Sequence, residues 1–504
     1  MTRRTTGWAL ICVALVFIAD TLFTKYLPGA LRGPSIPWKT YVEYMFFTSD
    51  GLFGSTVNIS ASYVFLFVVF GAFLEDTGVG QYFIDIAAQL TSKLRGGSAK
   101  ASVLASGLFG SISGSAVANV YATGTFTIPM MKKSGFTPAF AGATEAVASS
   151  VGAIMPPVMG SAAFLMSDFL GVPYAKIAVA ALLPALLYYL SLWFIIDLEA
   201  LKLGMKKNKE GAEIDFLSYL RRSYMILPIV TIIVFIVRGY TAFMAAFYAI
   251  LVTLAVGFIH NPKTLLPSHI LKTLDKAGRS AVTIAAPLTC AAIIVGSIQL
   301  TGVGLKLTSM IVKLSAGIMP VALFLTMVIT IILGMGLPTP AAYLLVAIFA
   351  PGALASFKVE PLTSHMFCFY YAAFSTITPP VAMAAFAGGN LAGAPVNKTG
   401  FTAMKIGVAA YIIPWVFVFS KGLLMEGSLL MIIQAFITAV IGIYCLACSV
   451  QGVFLERPVG VVLRAVLLTA ALCMIVSGTV TDLIGLAAVA AVCSAVRTSP
   501  KLSE

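Results

Sequence analysis

The chain has 504 residues, of which 60% are hydrophobic and only 10% are charged, and its mean hydropathy is +0.99. Soluble proteins carry about 25% charged residues, so this composition excludes a row of soluble domains and predicts an all-α polytopic membrane protein. The net charge of +13 lies in short loops between apolar runs, which argues against nucleic acid as a partner.

Apolar runs long enough to cross a bilayer recur along the chain. No small-residue cleavage pattern follows the first run, 8–22, so we expect a retained span and not a signal peptide. An amphipathic arm, 79–94, follows the second span, and the most charged loop, 202–222, is expected to lie against anionic membrane lipid. The other predicted spans are 58–74, 139–170, 175–198, 224–237, 243–259, 281–300, 361–390, 404–419, 429–450, 459–476 and 483–496.

Two segments, 99–131 and 319–351, do not fit the pattern of a simple span. Their centres are rich in glycine, serine and proline and read Phe109-Gly-Ser-Ile-Ser-Gly-Ser-Ala-Val-Ala-Asn119 and Leu333-Gly-Met-Gly-Leu-Pro-Thr-Pro-Ala-Ala-Tyr343. Arms of about a dozen residues would measure roughly 18 Å, which is well short of the ~30 Å hydrocarbon core. The sequence therefore predicts two re-entrant helical hairpins.

The hairpins belong to a repeat. Gly110 and Gly334 lie 224 residues apart in the two tips, and the pairs Pro156-Pro157 and Pro379-Pro380 break the following spans at an offset of 223. This spacing predicts an N-terminal span and connector at 1–57 and extra C-terminal spans at 426–504. Between them we expect a first repeat, 58–237, with its broken span at 139–170, and a second repeat, 238–425, with its broken span at 361–390.

The distribution of charge predicts the orientation of the repeats. If the first hairpin opens to the cytoplasm, most of the 32 Lys and Arg residues lie in inside loops, as the positive-inside rule requires. Five predicted crossings separate the hairpins, so the second hairpin opens to the opposite side. The repeat is then inverted, as in secondary transporters that bind their substrate near the bilayer midplane.

The tips and breaks form the candidate binding site, because polar backbone at membrane depth must be paired unless it lines a cavity. Proline lacks an N–H, so the proline pairs would free carbonyls near 152–153 and 375–376, and such oxygens suit a hard cation. Helix N-termini that follow a glycine turn suit a carboxylate. The alternative is that these residues only permit close helix packing. The candidates in the tips are Ser111, Ser113, Gly114, Ser115, Asn119, Gly334, Gly336, Pro338 and Thr339. Those in the broken spans are Gly152, Ala153, Pro156, Pro157, Ser375, Thr376, Thr378, Pro379 and Pro380.

Glu145 lies inside the first broken span, and Ser149 shares its helix face one turn later. A carboxylate at this depth is costly and therefore a functional candidate. Three interpretations stay open: coupling to a proton or cation, contact with the substrate, or a structural hydrogen bond to the neighbouring hairpin. The sequence predicts no cofactor and no metal beyond sodium. Three histidines without a His/Glu cluster argue against an enzyme.

The motifs in the tips and breaks resemble those of the large membrane subunit of TRAP (tripartite ATP-independent periplasmic) transporters. The similarity covers about 58–419 and favours the branch with a TAXI-type binding protein, which includes fused permeases. The resemblance implies ion-coupled elevator transport across a bacterial or archaeal cytoplasmic (inner) membrane. It also implies a soluble periplasmic TAXI-type substrate-binding protein that delivers a small organic acid or other carboxylate.

The chain departs from this family pattern at two places. Sodium-driven relatives carry an Asp after the Leu in the second tip, where this chain has Leu337-Pro338, so the coupling ion is either sodium or a proton. Only one span precedes the match, so either a separate small (Q-type) membrane subunit exists or the extra helices are reduced. The rival within transport is a stand-alone divalent-anion or cation symporter without a binding protein. The rivals from other classes are a membrane enzyme and an assembly scaffold.

Overall fold

The structure is a computed structural model that describes residues 2–3, 8–29, 32–207, 221–262, 266–475 and 478–497. Most of the charged loop 202–222, for which the sequence predicts contact with lipid, lies outside the described residues. The described chain is almost entirely helical, with one two-stranded antiparallel sheet. This architecture confirms the predicted all-α polytopic fold.

The helices are numbered in chain order. They are α1 (Ala9–Phe23), α2 (Trp38–Phe47), α3 (Ser55–Asp76), α4 (Val79–Thr91), α5 (Gly97–Ser113), α6 (Ala116–Lys133), α7 (Pro138–Val151), α8 (Ser161–Leu170), α9 (Tyr174–Lys202), α10 (Leu227–Val237), α11 (Ala242–His260), α12 (Pro267–Thr301), α13 (Val303–Leu314), α14 (Met319–Gly334), α15 (Thr339–Ala347), α16 (Ala350–Ala355), α17 (Pro361–Phe374), α18 (Met383–Ala392), α19 (Val396–Ile406), α20 (Ala409–Phe419), α21 (Leu429–Gln451), α22 (Val461–Ile475) and α23 (Thr479–Val496). The two strands are β1 (Val453–Phe454) and β2 (Arg457–Pro458).

Six helices in the described part of the chain are long and apolar enough to cross a membrane: α3, α9, α11, α12, the pair α19–α20, and α21. The predicted spans locate these helices but not all of their ends. Helix α12 has 35 residues, whereas the apolar run predicts only 281–300. The helix begins earlier because a charged first segment, with Lys272, Asp275 and Arg279 exposed to solvent, continues the same helix.

The first hairpin has longer arms than the sequence suggests. Helices α5 and α6 contain 17 and 18 residues, or roughly 26 Å each, so the prediction of about a dozen residues per arm is wrong. The Gly/Ser segment stays helical as far as Ser113, and the turn is confined to Gly114 and Ser115. Gly114 has a φ of 61°, the left-handed conformation that favours glycine at a helix end. The Ser115 side chain accepts a hydrogen bond from the amide of Ala118 and caps α6.

The second hairpin is less regular than the first. Helix α14 ends at Gly334, and a turn containing Gly336, whose φ is 73°, leads into α15. Helix α15 has nine residues and ends before Phe349, and α16 then begins as a separate short helix. The return arm of this hairpin is therefore interrupted, which the uniform apolar sequence does not predict.

The two proline pairs interrupt helices as predicted. Helix α7 ends at Val151, and α8 begins ten residues later at Ser161. Helix α17 ends at Phe374, a 3-10 turn occupies Ser375–Ile377, and α18 begins at Met383. Each broken span therefore consists of two short helices joined by irregular backbone.

Contacts within the chain define two compact units. The first unit comprises Met1–Gly80, Pro157–Ile177 and Ser223–Thr376, and the second unit comprises Gln81–Pro156, Ala178–Arg222 and Ile377–Glu504. The first unit contains the hairpin α14–α15 with α17 and α8. The second unit contains the hairpin α5–α6 with α7 and α18. Each unit thus contains one hairpin and the first helix of the broken span that follows it, α17 or α7. The second helix of the other broken span, α8 or α18, completes the unit.

The crossing of α7 and α18 shows why small residues are needed inside the second unit. A Cβ placed on Gly142 would lie 2.5 Å from the carbonyl oxygen of Gly388, and a Cβ on Gly388 would collide with the carbonyl of Gly142. Two glycines therefore permit contact between the two helix backbones, as in close helix packing within membranes.

Replacing Gly142 by alanine is expected to destabilise the protein by about 1–3 kcal/mol, because α7 and α18 must move apart to admit the methyl group. The measurement is the thermal unfolding midpoint of the detergent-solubilised protein. Gly71→Ala in α3 is the matched control, because nothing lies within 4 Å of a Cβ at that position. Equal midpoints for the two variants would contradict the close crossing.

Candidate functional site

The tip of the first hairpin packs against the first helix break. A Cβ on Gly110 would lie 2.7 Å from the Cα of Gly152 and 2.6 Å from Nδ2 of Asn119. Asn119 is fully buried and donates from Nδ2 to the carbonyl of Ser106 at 2.8 Å, which joins the two arms of the hairpin. The tip and the break are therefore in backbone contact, with no side chain between them.

Two of the predicted serines in the first tip have different environments. Ser111 Oγ donates to the carbonyl of Leu108 at 2.8 Å and is thus used inside its own helix. The buried Oγ of Ser113 has no hydrogen-bond partner among the described residues. A buried hydroxyl without a partner is uncommon in folded proteins. The predicted ligand contact of Ser113 stays a prediction.

The second tip makes the equivalent contact inside the first unit. Ser375 Oγ lies 3.0 Å from the carbonyl oxygen of Gly334 and 2.7 Å from that of Ala372. A Cβ on Gly334 would lie 2.6 Å from Ser375 Oγ. Gly110 and Gly152 in one unit thus correspond to Gly334 and Ser375 in the other, at the offsets of 224 and 223 found in the sequence. Thr339, at the start of α15, is buried beside this tip.

The backbone carbonyls of the first break fall into two pairs. In the described part of the chain, no backbone N–H outside regular helix donates to the carbonyl of Gly152 or Ala153, as predicted for residues four positions before proline. Tyr174 Oη lies within hydrogen-bonding distance of the carbonyls of Pro157 and Val158, at 3.0 and 2.5 Å.

In the second break, the 3-10 turn Ser375–Ile377 replaces the predicted open backbone. The hydroxyl of Thr376 donates to the carbonyl of Ala373 at 2.7 Å. Thr378 Oγ1 pairs with Tyr411 Oη at 2.6 Å inside the second unit. Gly400 packs against the ring of Pro379 there. The hydroxyls of Thr376 and Thr378 thus have protein partners. That the proline pair frees the carbonyls of Ser375 and Thr376 stays a prediction.

Glu145 is fully buried in α7 and is surrounded by hydroxyl groups from both arms of the first hairpin. Oε2 accepts from Ser102 at 2.6 Å and from Thr127 at 2.5 Å. Oε1 accepts from Ser106 at 2.7 Å and from Thr123 at 2.5 Å. We call these four residues with Glu145 the hydroxyl cage. Four hydrogen bonds therefore join the carboxyl group of Glu145 to the two arms of the hairpin.

Ser149, one turn along α7, also lies 3.2 Å from Oε1. No Lys, Arg or His of the described chain forms an ion pair with Glu145. The hydroxyls therefore supply the only polar partners that the structure shows for this carboxylate. The structural hydrogen bond to the hairpin is thus present, and a role of Glu145 in ion coupling stays a prediction.

The sequence contains a signal for the cage that the prediction from Glu145 and Ser149 did not use. Ser102 and Ser106 are four residues apart on one arm, and Thr123 and Thr127 are four residues apart on the other. Residues at this spacing share one face of a helix, so two hydroxyl pairs on facing arms point to a buried polar partner.

The second hairpin has hydroxyls at the corresponding positions but no acid. Thr326 and Thr330 follow Ser102 and Ser106 at the offset of 224, and both are fully buried. Cys368 occupies the position of Glu145 at the offset of 223. Thr326 Oγ1 has no hydrogen-bond partner within the described residues. The carboxylate is therefore specific to the first of the two related sites.

The structure thus gathers the candidate residues into two groups. The second unit holds the first tip with its partners at 152–156, the residues at 378–380 and Glu145. The first unit holds the second tip with Ser375, Thr376 and Pro157. No group of three or more His, Cys, Asp or Glu side chains suited to a metal ion occurs in the described ranges.

Comparison with known proteins identifies the family. Residues 1–432 match the family model described as the tripartite ATP-independent periplasmic transporter, DctM component. The C4-dicarboxylate TRAP transporter large permease protein DctM of Pseudomonas aeruginosa is 25% identical over 69% of this chain and 81% of its own. The isethionate TRAP transporter permease protein DctMQ of Oleidesulfovibrio alaskensis is 25% identical over 78% of this chain and 60% of its own. Both relatives are transport permeases and not enzymes. With its multi-pass helical fold and this match, the chain belongs to the family of DctM-type large permeases of TRAP transporters.

Proposed function

We propose that this chain is the permease of a TAXI-type TRAP importer, which moves a small organic acid across the cytoplasmic membrane by ion-coupled elevator transport. The observation that carries this proposal is the matched tip-to-break contact in the two units, Gly110 with Gly152 and Gly334 with Ser375. A repeat that brings the hairpin tip against the helix break at matching positions in both copies is the arrangement expected of an inverted-repeat transporter.

The two hairpins are re-entrant in this proposal. Their longest arms, α5 and α6, have 17 and 18 residues, at the lower limit of a membrane-spanning helix, and the chain reverses direction between them at Gly114 and Ser115. The lysines at the foot of the first hairpin, Lys132 and Lys133, support a foot on the cytoplasmic side, because the positive-inside rule favours lysine there.

The partners in this proposal are a periplasmic TAXI-type binding protein and a small Q-type membrane subunit. Large permeases of this family work with a substrate-binding protein and usually with a small membrane subunit. The binding protein would deliver the carboxylate to a tip where helix N-termini supply partial positive charge.

The coupling ion is sodium or a proton. Two observations support a hard cation at the first tip: Gly110 lies against Gly152 of the break, and the hydroxyl of Ser113 has no hydrogen-bond partner among the described residues. The second tip has Leu337-Pro338 and no carboxylate at this place. If a carboxylate takes part in coupling, Glu145 supplies it from the hydroxyl cage.

Uptake in vesicles that contain the purified permease, with its small subunit where one exists, tests this function. We expect uptake of small carboxylates only when the binding protein is present and an ion gradient is imposed. Sodium and proton gradients are applied separately to identify the ion. Uptake without any binding protein would instead support the stand-alone symporter.

Ser113→Ala and Ser111→Ala form a matched pair within this assay. Removing the unpaired hydroxyl of Ser113 is expected to weaken the dependence on the coupling ion by about tenfold, since one ion ligand is lost. Removing the hydroxyl of Ser111 is expected to have little effect, because it bonds only to its own helix. Identical ion dependence in both variants would remove Ser113 from the ion site.

A further inference from the structure

A cavity of about 400 Å³ lies inside the second unit, where the C-terminal helices meet α9 and the foot of the first hairpin. Three aromatic side chains and three charged side chains form much of its wall: Trp193, Phe194, Tyr444, Arg95, Asp197 and Glu456. The part of the wall from Tyr444 onward lies beyond residue 432, where the family match ends. The cavity is therefore built partly by a segment that the family model does not cover.

The charges around the cavity are arranged as two ion pairs. Arg95 Nη2 lies 2.9 Å from Glu456 Oε1, and Lys100 Nζ lies 2.5 Å from Asp197 Oδ1. The side chains of the cations are 14% and 5% exposed, whereas those of Glu456 and Asp197 are 43% and 36% exposed. The carboxylates are thus the accessible partners, and Arg95 retains further N–H donors after binding Glu456.

The position of the cavity along the helices indicates its depth in the membrane. Helix α9 ends at Lys202 and α21 ends at Gln451, and Trp193 and Tyr444 lie about two turns before these ends. Tryptophan and tyrosine collect at the level of lipid headgroups in membrane proteins. The cavity therefore faces the headgroup and glycerol region and not the acyl chains.

We infer that this cavity binds the headgroup of a zwitterionic phospholipid that carries a primary ammonium, such as phosphatidylethanolamine. The phosphate is held by the guanidinium of Arg95, and the ammonium lies between the carboxylates of Asp197 and Glu456. The ring of Tyr444 adds cation–π attraction to the ammonium, whereas the ring of Trp193 already has Lys100 Nζ 5.1 Å from its centroid. The cavity wall presents two carboxylates and one guanidinium, and Lys100, the partner of Asp197, is only 5% exposed, so a headgroup that has only negative charge is disfavoured.

The bound lipid would join the C-terminal extension to the hairpin foot. The turn between β1 and β2 carries Glu456 toward Arg95, and Gln451 Nε2 donates to the carbonyl of Ile195 at 3.3 Å. These contacts already attach the extension to α9 and the α4–α5 loop. The inference concerns this attachment and does not depend on the transported substrate or on the coupling ion.

Native mass spectrometry of the full-length protein tests the site. The protein is exchanged into phosphatidylethanolamine, its N-monomethyl derivative or phosphatidylcholine of equal acyl composition, and phosphatidylglycerol serves as the anionic probe. Retention is expected to fall by at least about tenfold from the primary to the quaternary ammonium, because N–H donors to two carboxylates are lost. Equal retention across this series, or preferred retention of phosphatidylglycerol, would overturn the inference.

Glu456→Gln is the variant for the same assay, because its amide oxygen can still accept from Arg95 and hold the turn in place. We expect this variant to lose most of the preference for phosphatidylethanolamine, while Glu43→Gln, at an exposed acid of α2, keeps it. A Glu456→Gln protein with unchanged preference would also overturn the inference. The lipid series on the unmodified protein decides the question if the variant does not fold.

Discussion

Replacement of Glu145 by alanine is expected to destabilise the protein by about 3–5 kcal/mol and to abolish uptake. Ser102 and Ser106 lose the carboxylate as acceptor inside a fully buried site, and Ser106 keeps only the hydroxyl of Thr123, at 3.0 Å, as a neighbour. Thr123 and Thr127 are less affected, because each also lies within reach of a backbone carbonyl of its own helix. The thermal midpoint of the detergent-solubilised protein measures the loss.

Glu145→Gln separates stability from ion coupling. The amide keeps the shape of the carboxylate, and the serine hydroxyls can rotate to accept from its NH₂ group, so the expected destabilisation is only about 1–2 kcal/mol. If Glu145 carries the coupling proton, this folded variant loses uptake driven by a pH gradient. If the cage only holds α7 against the hairpin, uptake per amount of folded Glu145→Gln protein equals that of the unmodified protein.

Glu43→Gln is the control for both Glu145 variants, since Glu43 is a largely exposed acid on α2. Its midpoint and uptake are expected to match the unmodified protein. An unchanged midpoint in Glu145→Ala would contradict the hydroxyl cage. Proton-driven uptake that survives in full in Glu145→Gln would remove the residue from the coupling role.

The repeat and the helix breaks could be predicted because their signals are local. Proline removes a backbone donor wherever it occurs, so Pro156-Pro157 and Pro379-Pro380 mark interruptions without reference to the fold. The spacing between Gly110 and Gly334 adds a second, independent observation. Both signals depend on backbone chemistry that tertiary contacts do not override.

The arm lengths and the second break could not be predicted in the same way. Glycine and serine permit a turn but do not impose one, so helix α5 continues through Gly110 and ends only where Gly114 takes a positive φ. Whether Ser375 and Thr376 face a cavity or their own helix depends on packing, which the sequence does not specify. The hydroxyl cage could be predicted only in part. The i, i+4 spacing of its serines and threonines is visible in the sequence, but the sequence does not show that Glu145 is their common partner.

The contact between Gly110 and Gly152 makes a second strong expectation. Gly152→Ala places a Cβ against the Cα of Gly110, and both sides of this contact are backbone, so no side chain can rotate away. We expect a loss of about 3 kcal/mol or more and loss of uptake. Gly278→Ala in α12 is the control, because a Cβ there has nothing within 4 Å.

The contact between Gly334 and Ser375 in the first unit is the counterpart of the contact between Gly110 and Gly152 in the second unit. The two contacts should respond differently to an added methyl group, and this difference tests the repeat. A Cβ on Gly334 meets Oγ and Cβ of Ser375 at 2.6 and 2.8 Å, so the obstruction is a side chain. Gly334→Ala is therefore expected to lower the thermal unfolding midpoint less than Gly152→Ala does.

Adding Ser375→Gly to Gly334→Ala should restore the thermal unfolding midpoint, because the next atom, Cβ of Ala342, lies at 3.3 Å from the new methyl group. Rescue by Ser375→Gly means that the two tips meet their breaks through equivalent positions. A double variant as unstable as Gly334→Ala alone means that the shared spacing does not reflect a shared contact.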